Sequence, residues 1–415
     1  MTRYRIRRTE SLGLFAILAL VSGATASGGW TAIKLHPAGA HLSQGMGVGI
    51  GKQVAGWVIM EGEAHERGGL WTGTAASWTE LDPPGTYVGL AFGVSNGQQA
   101  GQVTLDGIQR ACIWNGTIAS WVDLTVPGSQ YSVVWGVGDG QQAGTALAGV
   151  PLKYRASLWT GTGTSWVDLQ PALGPAGTTH SDAFGAGNGQ QAGEVEVAGS
   201  EHASMWAGSA ASWVDLDPGT APGFSKASRA LAASGGQQVG WTLVGSNHHA
   251  SLWTGSAASW KDLHPAGAGF SEILGVSAGL QAGNATISGQ QHAGVWSGTA
   301  ASWEDIHPAD FINSIATGIW SNGPNTYVSG YGFNIVTSRT EAILWVKSPP
   351  CPGDLNGDGV VDDADFVLFA AAYNILLCAD PTMPPGCPAD VNKDGVVDDG
   401  DFVLFVAAYN ALVCP

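Results

Sequence analysis

Two segments near the C-terminus place side-chain oxygens at a fixed spacing. In residues 354–365 they stand at positions 1, 3, 5, 9 and 12, as Asp354, Asn356, Asp358, Asp362 and Asp365. Residues 390–401 repeat the pattern, as Asp390, Asn392, Asp394, Asp398 and Asp401. Position 6 is glycine in both segments, and the backbone carbonyl of position 7 (Val360 or Val396) completes the ligand set of a twelve-residue calcium loop. Because Ca²⁺ prefers about six to eight hard oxygen ligands, the sequence predicts two Ca²⁺ ions here.

A helix is expected directly after each loop, over residues 365–374 and 401–410. Apolar side chains recur there at i, i+3, i+4 and i+7, as Phe366, Phe369, Ala370 and Tyr373, and again as Phe402, Phe405, Val406 and Tyr409. No helix is expected before either loop, since a Cys-Pro dipeptide stands shortly ahead of it. Each unit is therefore a metal loop with an exiting helix only.

This duplicated loop and helix, with Asp at loop position 12, resembles a type I dockerin domain over residues 351–415. The resemblance implies an EF-hand-like module that folds on binding Ca²⁺ and docks to a cohesin on a scaffold or cell surface, usually in assemblies that degrade polysaccharides. The chain departs from the family at loop positions 10 and 11. These are Asp363-Ala364 and Asp399-Gly400, where dockerins carry Ser, Thr or small apolar residues. The departure leaves the identity of a cohesin-like partner open.

The cysteines occur in two settings. Four of them bracket the two loop-and-helix units: Cys351, Cys378, Cys387 and Cys414. They allow three pairings, of which a bridge within each unit is the simplest, and the sequence leaves the choice open. Cys112 stands alone, where sister repeats carry Ser157, Ser204 and Ser251, so we expect a buried small residue and not a nucleophile.

The N-terminus has the pattern of a secretory signal peptide over residues 1–26. Four arginines precede the apolar residues 12–21, and Ala24-Thr25-Ala26 supplies a cleavage site. This stretch is too short for a membrane span, so we expect a secreted protein, extracellular or at the cell surface, without a membrane-spanning helix. The net charge is −17, and from residue 351 onward 11 Asp against one Lys give −10 of it. No basic patch indicates nucleic-acid binding.

Upstream of this acidic tail, two tryptophans seven residues apart occur six times. The pairs are Trp71/Trp78, Trp114/Trp121, Trp159/Trp166, Trp206/Trp213, Trp253/Trp260 and Trp296/Trp303. The odd separation lets two rings face each other across antiparallel strands joined by a short loop. The first tryptophans recur every 43 to 49 residues, a period typical of propellers and solenoids.

Four strands are predicted in each period, which in the third unit are residues 131–137, 142–148, 155–159 and 165–169. Seven such units predict a mainly β fold, a seven-bladed β-propeller over residues 27–347. A linker at 348–350 and a small α-helical domain at 351–415 follow. Half-units remain at the two ends, around Trp30 and Trp345. We expect residues 30–35 to pair with residues 342–345, so that the two tryptophans form a seventh pair and the ring closes.

The repeat also has family resemblance. Residues 249–253 (His-Ala-Ser-Leu-Trp) and 234–240 (Ser-Gly-Gly-Gln-Gln-Val-Gly) resemble the bacterial extracellular HAF repeat, and the resemblance covers residues 30–345. It implies a secreted, propeller-like repeat and carries no known catalytic residues.

Polar residues that recur in most units are expected to have structural roles. The Asp after the second Trp should accept backbone hydrogen bonds (Asp123, Asp168, Asp215, Asp262 and Asp305). A recurrent Gln should bond one blade to the next (Gln99, Gln142, Gln191, Gln238 and Gln281). Four residues before the first Trp stand Arg67, Arg110, Arg155, His202, His249, His292 and Glu341. These either satisfy neighbouring polar groups or form a ring that binds anions or acidic glycans.

Three functions fit this sequence. The first is a secreted, non-catalytic propeller that binds a ligand, possibly a glycan, or a partner and is anchored to a cohesin-like scaffold or cell surface, plausibly in polysaccharide degradation. The second is a propeller glycoside hydrolase or polysaccharide lyase. Against it, Asp182, Glu194 and Glu196 form no recognisable catalytic pair, so no catalytic residue is predicted. The third is a structural protein of the cell envelope.

Overall fold

The computed structural model describes residues 24–26, 29–172, 180–219, 224–347, 353–356, 361–384 and 386–411. Most of the predicted signal peptide and the whole predicted linker lie outside these ranges. So do Asp358, Val360, Cys351 and Cys414, whose predicted roles stay predictions. Neither of the two helices described below has the length and apolar character needed to cross a membrane.

Seven antiparallel sheets, each a blade, surround one central channel, and this confirms the predicted seven-bladed, mainly β propeller. Blades one to six take four consecutive strands each, and blade seven is a five-stranded sheet that combines the last three strands with two from the N-terminal segment. The strands are β1 (Ala24–Ala26), β2 (Trp30–Lys34), β3 (Ala40–Gly49), β4 (Gln53–Met60), β5 (Arg67–Thr72), β6 (Thr79–Glu80), β7 (Val88–Ser95), β8 (Gln98–Leu105), β9 (Ile108–Trp114), β10 (Val122–Asp123), β11 (Ser132–Gly138), β12 (Gln141–Ala148), β13 (Lys153–Trp159), β14 (Val167–Asp168), β15 (Ser181–Gly187), β16 (Gln190–Val197), β17 (Ser200–Trp206), β18 (Val214–Asp215), β19 (Phe224–Ser234), β20 (Gln237–Val244), β21 (Asn247–Trp253), β22 (Lys261–Asp262), β23 (Ser271–Ser277), β24 (Leu280–Ile287), β25 (Gln290–Trp296), β26 (Glu304–Asp305), β27 (Phe311–Ser321), β28 (Thr326–Asn334) and β29 (Arg339–Lys347).

The tryptophan pairs are cross-strand neighbours, as predicted. The register Leu70↔Thr79 places Trp71 opposite Trp78, and their ring centroids lie 4.4 Å apart. This close contact needs Gly69, because a Cβ there would lie 2.3 Å from the Trp78 ring. Three other blades have serine at that position, and the second indole N–H donates to the serine Oγ at 2.9–3.0 Å (Trp166 to Ser157, Trp213 to Ser204, Trp260 to Ser251).

The N-terminal strand closes the ring. β2 pairs with β29, and the Leu35 N–H donates to the Ala342 carbonyl at 2.8 Å, which confirms the predicted strand pairing. The expected seventh tryptophan pair is wrong, however, because Ala32 is the residue opposite Trp345. In blade one, Trp78 stands three residues before Leu81, whereas Trp30 stands five before the equivalent Leu35. Trp30 is still buried in the same core cluster as Trp345.

A serine near the start of the inner strand joins neighbouring blades in six of the seven blades. Its Oγ accepts a hydrogen bond from a buried backbone N–H of the preceding blade, at 2.9–3.0 Å (Ala111 to Ser132, Ala156 to Ser181, Ala203 to Ser228, Ala250 to Ser271, Ala293 to Ser314, Ala342 to Ser43). The recurrent glutamines add a second link. Gln142 Nε2, for example, donates to Gln98 Oε1 of the preceding blade at 2.8 Å, and the Gly161 N–H donates to Gln142 Oε1 at 2.7 Å. The predicted blade-to-blade role is therefore confirmed for Gln142, Gln191, Gln238 and Gln281, whereas the hydrogen bonds found for Gln99 join it to Gly97 and Gly116 of its own blade.

The tail contains two helices, α1 (Asp363–Tyr373) and α2 (Asp399–Ala411). α1 begins before the predicted residue 365 because the Asp362 side chain caps it, accepting from the Ala364 N–H at 2.8 Å. Phe369 and Phe405 are buried, with ring centroids 4.9 Å apart, in a small core with Val361, Val397 and Met383.

The cysteine pairing differs from the simplest expectation. Cys378 is bonded to Cys387, so the bridge joins the two units and does not close either one. The Cys378 N–H also donates to the Gly395 carbonyl of the second loop at 3.1 Å. This contact draws Cys378 toward the second unit. Cys112 is buried, as predicted.

Candidate functional site

The second loop brings its predicted ligands together. Asp390, Asp394 and Asp401 each offer a carboxylate oxygen, and these three atoms lie within 4.8 Å of one another. Asp401 is fully buried; its Oδ1 accepts from the Asn392 N–H and its Oδ2 from the Asp398 N–H, both at 3.0 Å. The last ligand position thus ties the end of the loop to its start.

The turn of this loop has the conformation that its glycine allows. Gly395 has a φ of 95°, and its N–H donates to Asp390 Oδ2 at 2.9 Å. The Val396 N–H donates to Asp394 Oδ1 at 3.0 Å, and Asn392 Oδ1 accepts from the Asp394 N–H at 2.9 Å. Backbone N–H groups therefore hold the acidic side chains inward, around one point.

The described part of the first loop is arranged in the same way. Asp365 is fully buried, and its Oδ1 accepts from the N–H groups of Leu355 and Asn356, at 2.7 and 3.0 Å. Its Oδ2 accepts from the Asp362 N–H at 3.0 Å. Asp354 belongs to the same described segment.

The donor set of both loops fits a hard divalent cation. All side-chain donors are carboxylate or amide oxygens, which Ca²⁺ prefers, and Lys393 is the sole basic residue in the sequence from 351 to 415. Two buried carboxylates, Asp365 and Asp401, stand beside further acidic groups. A buried charge is costly unless a counter-charge accompanies it.

Two reciprocal hydrogen bonds connect the helices to the opposite loops. The Tyr373 hydroxyl donates to Asp399 Oδ1 at 2.6 Å, and the Tyr409 hydroxyl donates to Asp363 Oδ1 at 2.5 Å. These bonds raise the pKa of both tyrosines. Asp363 and Asp399 are the loop position 10 residues that depart from the dockerin pattern, and both have a partner inside the tail.

An apolar surface remains exposed on the two helices. It consists of one tripeptide from each helix, and every side chain in it is 40–67% exposed: Phe366, Val367, Leu368, Phe402, Val403 and Leu404. We call this set the apolar helix face. Phe366 and Phe402, the first residues of the predicted apolar series, belong to it, and Phe369 and Phe405 are the fully buried aromatic residues of that series.

In the propeller, the recurrent Arg and His residues are paired within their own blades. Arg110 Nη1 contacts Asp123 Oδ2 at 2.8 Å, and Arg155 Nη1 contacts Asp168 Oδ2 at 2.6 Å. His202, His249 and His292 contact the corresponding Asp at 2.7–2.9 Å, and Arg67 contacts Glu63 at 2.9 Å. The other oxygen of each Asp accepts a backbone N–H, as predicted (from Thr125, Gln170, Asp217, His264 and His307). These cations are balanced locally, which argues against an anion-binding ring.

A cluster that the sequence reasoning missed lies on blades four and five. Arg229 on β19 donates to both oxygens of Glu201, at 3.0 and 2.7 Å, and forms an ion pair with the buried Glu194. Asp182 is directly opposite Glu194 in the sheet, and its Oδ1 accepts from the Thr145 hydroxyl at 2.5 Å. Asp182 and Glu194 were both named from the sequence, but their position side by side was not predicted. Antiparallel pairing of β15 and β16 brings them together.

Burial raises the pKa of two acidic groups in this cluster. It raises the pKa of Glu194 to about 8 and also raises the pKa of Asp182. Burial likewise raises the pKa of Glu272, on the next inner strand, to about 7. His180, Glu194 and Glu201 are spaced like metal ligands, but the Arg229 guanidinium already contacts both glutamates and supplies the cation there.

One signal in the sequence marks these residues: they break the repeat. The residue at this position of the inner strand is uncharged in the other blades (Gln44, Leu90, Val133 and Ile315), but it is Asp182, Arg229 and Glu272 in blades four to six. Each lies two residues before a residue that lines the channel. The channel encloses about 160 Å³ and takes three residues from each inner strand, the first being Met46, Phe92, Trp135, Phe184, Leu231, Leu274 and Thr317.

No known protein family matches the chain, and no curated protein does. Solved structures match at the level of the fold. An oligogalacturonate lyase in complex with manganese shares 10% identity, with a TM-score of 0.48 over 79% of this chain and 95% of that chain. The β-propeller domain of the Trilobed protease from Pyrococcus furiosus gives 10% identity and 0.48, over 74% and 95%. A prolyl endopeptidase gives 10% and 0.45 over 75% of this chain, which spans 51% of that protein's length.

Proposed function

We propose that the chain is an exported, non-catalytic propeller that binds a ligand or partner and is held on a scaffold or cell surface by a Ca²⁺-dependent, dockerin-like tail. The observation that carries the proposal is the convergence of the Asp390, Asp394 and Asp401 oxygens within 4.8 Å, with Asp401 buried. Carboxylates crowded in this way repel one another unless a cation lies between them. A sequence with one basic residue in 65 offers no alternative counter-charge.

Twelve residues would hold the two ions. They are Asp354, Asn356, Asp358, Val360, Asp362 and Asp365 in the first loop, and Asp390, Asn392, Asp394, Val396, Asp398 and Asp401 in the second. Bound Ca²⁺ supplies positive charge that offsets the repulsion. Asp365 and Asp401 already accept hydrogen bonds from backbone N–H groups near the starts of their loops. Both residues lie in the first turn of a helix, so fixing their side chains also fixes that helix. Binding free energy then becomes folding free energy.

The apolar helix face supports docking. Six adjacent large side chains that stay 40–67% exposed are unusual in a module of this size unless a partner covers them. Because Asp363 and Asp399 bond to tyrosines within the tail, recognition falls to Val367, Leu368 and their counterparts on α2. A cohesin-like protein with an apolar docking surface is the partner that the dockerin resemblance favours.

A second candidate, glycoside hydrolase or polysaccharide lyase activity, is favoured by the cluster around Asp182 and Glu194. A carboxyl group whose pKa is raised to about 8 is protonated at neutral pH and is a candidate general acid. Against this role, Glu194 is 3% exposed and paired with Arg229, which holds it away from a substrate. We expect purified protein to release neither reducing ends nor unsaturated sugars from plant or bacterial polysaccharides, and either product would establish the second candidate.

Calorimetric titration of the intact protein with Ca²⁺ tests the proposal. We expect saturable uptake of two ions, abolished by Asp354→Ala combined with Asp390→Ala, because each change removes the first ligand of a loop. Asp380→Ala is the matched control, since Asp380 lies in the same tail but outside both loops. Absence of saturable uptake, or equal uptake by the double variant, would contradict the proposal. A structural envelope protein without docking would bind the ions but show no Ca²⁺-dependent retention on a cell-surface fraction.

A further inference from the structure

One sector of the channel rim is polar. Asp182, Arg229 and Glu272 occupy equivalent positions on three consecutive inner strands, β15, β19 and β23. Each side chain is partly exposed, and each precedes by two residues a channel-lining residue. The equivalent positions in blades one, two, three and seven are Gln44, Leu90, Val133 and Ile315. The rim therefore has a charged side and an uncharged side, which is apolar except at Gln44.

A buried, unpaired amide lies beside this sector. Asn284 on β24 is directly opposite Glu272, so both side chains are on the same face of blade six. Asn284 is fully buried, and neither its Oδ1 nor its Nδ2 has a hydrogen-bond partner among the described residues. A buried polar group without a partner is destabilising, so native proteins rarely retain one without a use.

The carboxyl group of Glu272 has unused hydrogen-bonding capacity. Within the described parts of the chain it makes no hydrogen bond. The charge of Arg229 lowers the pKa of Glu272 by less than burial raises it. Tyr331 on β28 lies close enough for the Glu272 charge to contribute to the raised pKa of the phenol, after burial. A carboxyl group near its titration point, an amide and a phenol all donate and accept hydrogen bonds. Groups of this kind match hydroxyl groups, which do the same.

Aromatic rings line the channel next to the polar sector. Phe92, Trp135 and Phe184 stand on the inner strands of blades two to four, with Trp135 4.9 Å from Phe92 and 6.3 Å from Phe184 between ring centroids. Flat apolar surfaces beside hydrogen-bonding groups suit a ligand with apolar faces and a polar edge, as sugar rings have. Four carboxyl groups surround the single guanidinium of Arg229 (Asp182, Glu194, Glu201 and Glu272). Because Arg229 already donates to Glu201 and contacts Glu194, its guanidinium has little left to offer an anionic ligand.

We propose that the channel rim over blades four to six binds a neutral carbohydrate, with hydroxyl groups bonded to Asp182, Glu272 and Tyr331 and a ring face against Phe184 and Trp135. The inference rests on the proposed role of the propeller as a binding module and names the class of its ligand. It does not involve the tail, so Ca²⁺ uptake and surface retention remain independent of its outcome.

Calorimetric titration of the intact, Ca²⁺-loaded protein with cellohexaose, xylohexaose, mannohexaose and hexagalacturonate tests the proposal. We expect at least one neutral hexasaccharide to bind and hexagalacturonate to bind more weakly. Tyr331→Phe and Glu272→Gln, which preserve shape, should each weaken that binding about three- to tenfold, the loss of one hydrogen bond. Tyr327→Phe on the same strand and Glu304→Gln are matched controls and should stay within about twofold.

Three results of these titrations would contradict the proposal or locate its failure. Failure of all three neutral hexasaccharides to saturate the protein, or tighter binding of hexagalacturonate, would overturn the proposal. So would unchanged affinity of Tyr331→Phe and Glu272→Gln when thermal unfolding shows that both variants are folded. Retention of Ca²⁺ uptake in the same samples would show that the failure concerns the rim alone.

Discussion

At the scale of single residues, Asp82 shows how one substitution is compensated in the repeat. Blade two has Gly89 where the other inner strands carry the linking serine. The Asp82 carboxylate fills that space, and its Oδ2 accepts the Gly68 N–H of blade one at 3.2 Å. A Cβ at residue 89 would lie 1.8 Å from Asp82 Oδ1, so the glycine and the aspartate require each other. Burial raises the pKa of Asp82 to about 7.

The raised pKa of Asp82 predicts a pH-dependent stability. Between about pH 4 and pH 7 the folded chain holds a proton on Asp82 that the unfolded chain releases, so the free energy of unfolding falls as the pH rises through this window. Asp82→Asn keeps the acceptor for the Gly68 N–H and should reduce this slope. Urea unfolding at about pH 5 and pH 8 measures it. Asp106→Asn, on an exposed turn, is the control, and equal slopes in both variants would contradict the prediction.

At the scale of elements, the sequence predicted the hairpins between neighbouring strands correctly. It did not predict the register between strands that are far apart in the chain. The Trp-x₆-Trp spacing predicted the hairpins, because the two residues that must face each other are close in sequence. The place of Trp30 could not be predicted in this way, since its partner strand lies more than 300 residues away. The Cys378–Cys387 bridge could not be chosen among the three possible pairings because it depends on how the two units pack. The Arg229 cluster was missed because it joins residues of two different blades.

Removing one linking serine should measure the bond between blades. In Ser228→Ala, the buried Ala203 N–H loses its acceptor and the Asp217 carboxylate loses the donor that lies 2.7 Å away. We expect the free energy of unfolding to fall by about 1–3 kcal/mol, the cost of a buried unpaired N–H. Ser246→Ala, on an exposed turn, should change it by less than about 0.5 kcal/mol. Equal losses in the two variants, measured by urea unfolding, would refute the role given to Ser228.

At the scale of the whole molecule, the N-terminal strand determines whether the propeller has an edge. β2 covers β29 of blade seven, and the Ala342 N–H of the same blade donates to Ser43 of blade one at 2.9 Å. Without β2, the hydrogen-bonding groups of β29 would face solvent next to Trp345 and Leu344. An exposed apolar edge of this kind is a site of aggregation.

Truncation tests the closure. A chain that begins at residue 36 lacks β2 and should unfold at a lower temperature and aggregate, as light scattering during heating would record. A chain that begins at residue 29 keeps β2 and should behave like the full-length protein. Matching melting curves for the two truncated chains would show that closure by β2 contributes little.

The central claim is that the tail folds around Ca²⁺ independently of the propeller. Hydrogen exchange of the intact protein, followed by mass spectrometry of peptides, tests it most directly. With Ca²⁺, peptides from α1 and α2 should be protected, and in chelator that protection should be lost while peptides from the blades exchange as before. Asp354→Ala with Asp390→Ala should exchange in Ca²⁺ as the parent does in chelator. Equal protection of α1 and α2 with Ca²⁺ and with chelator would contradict the claim.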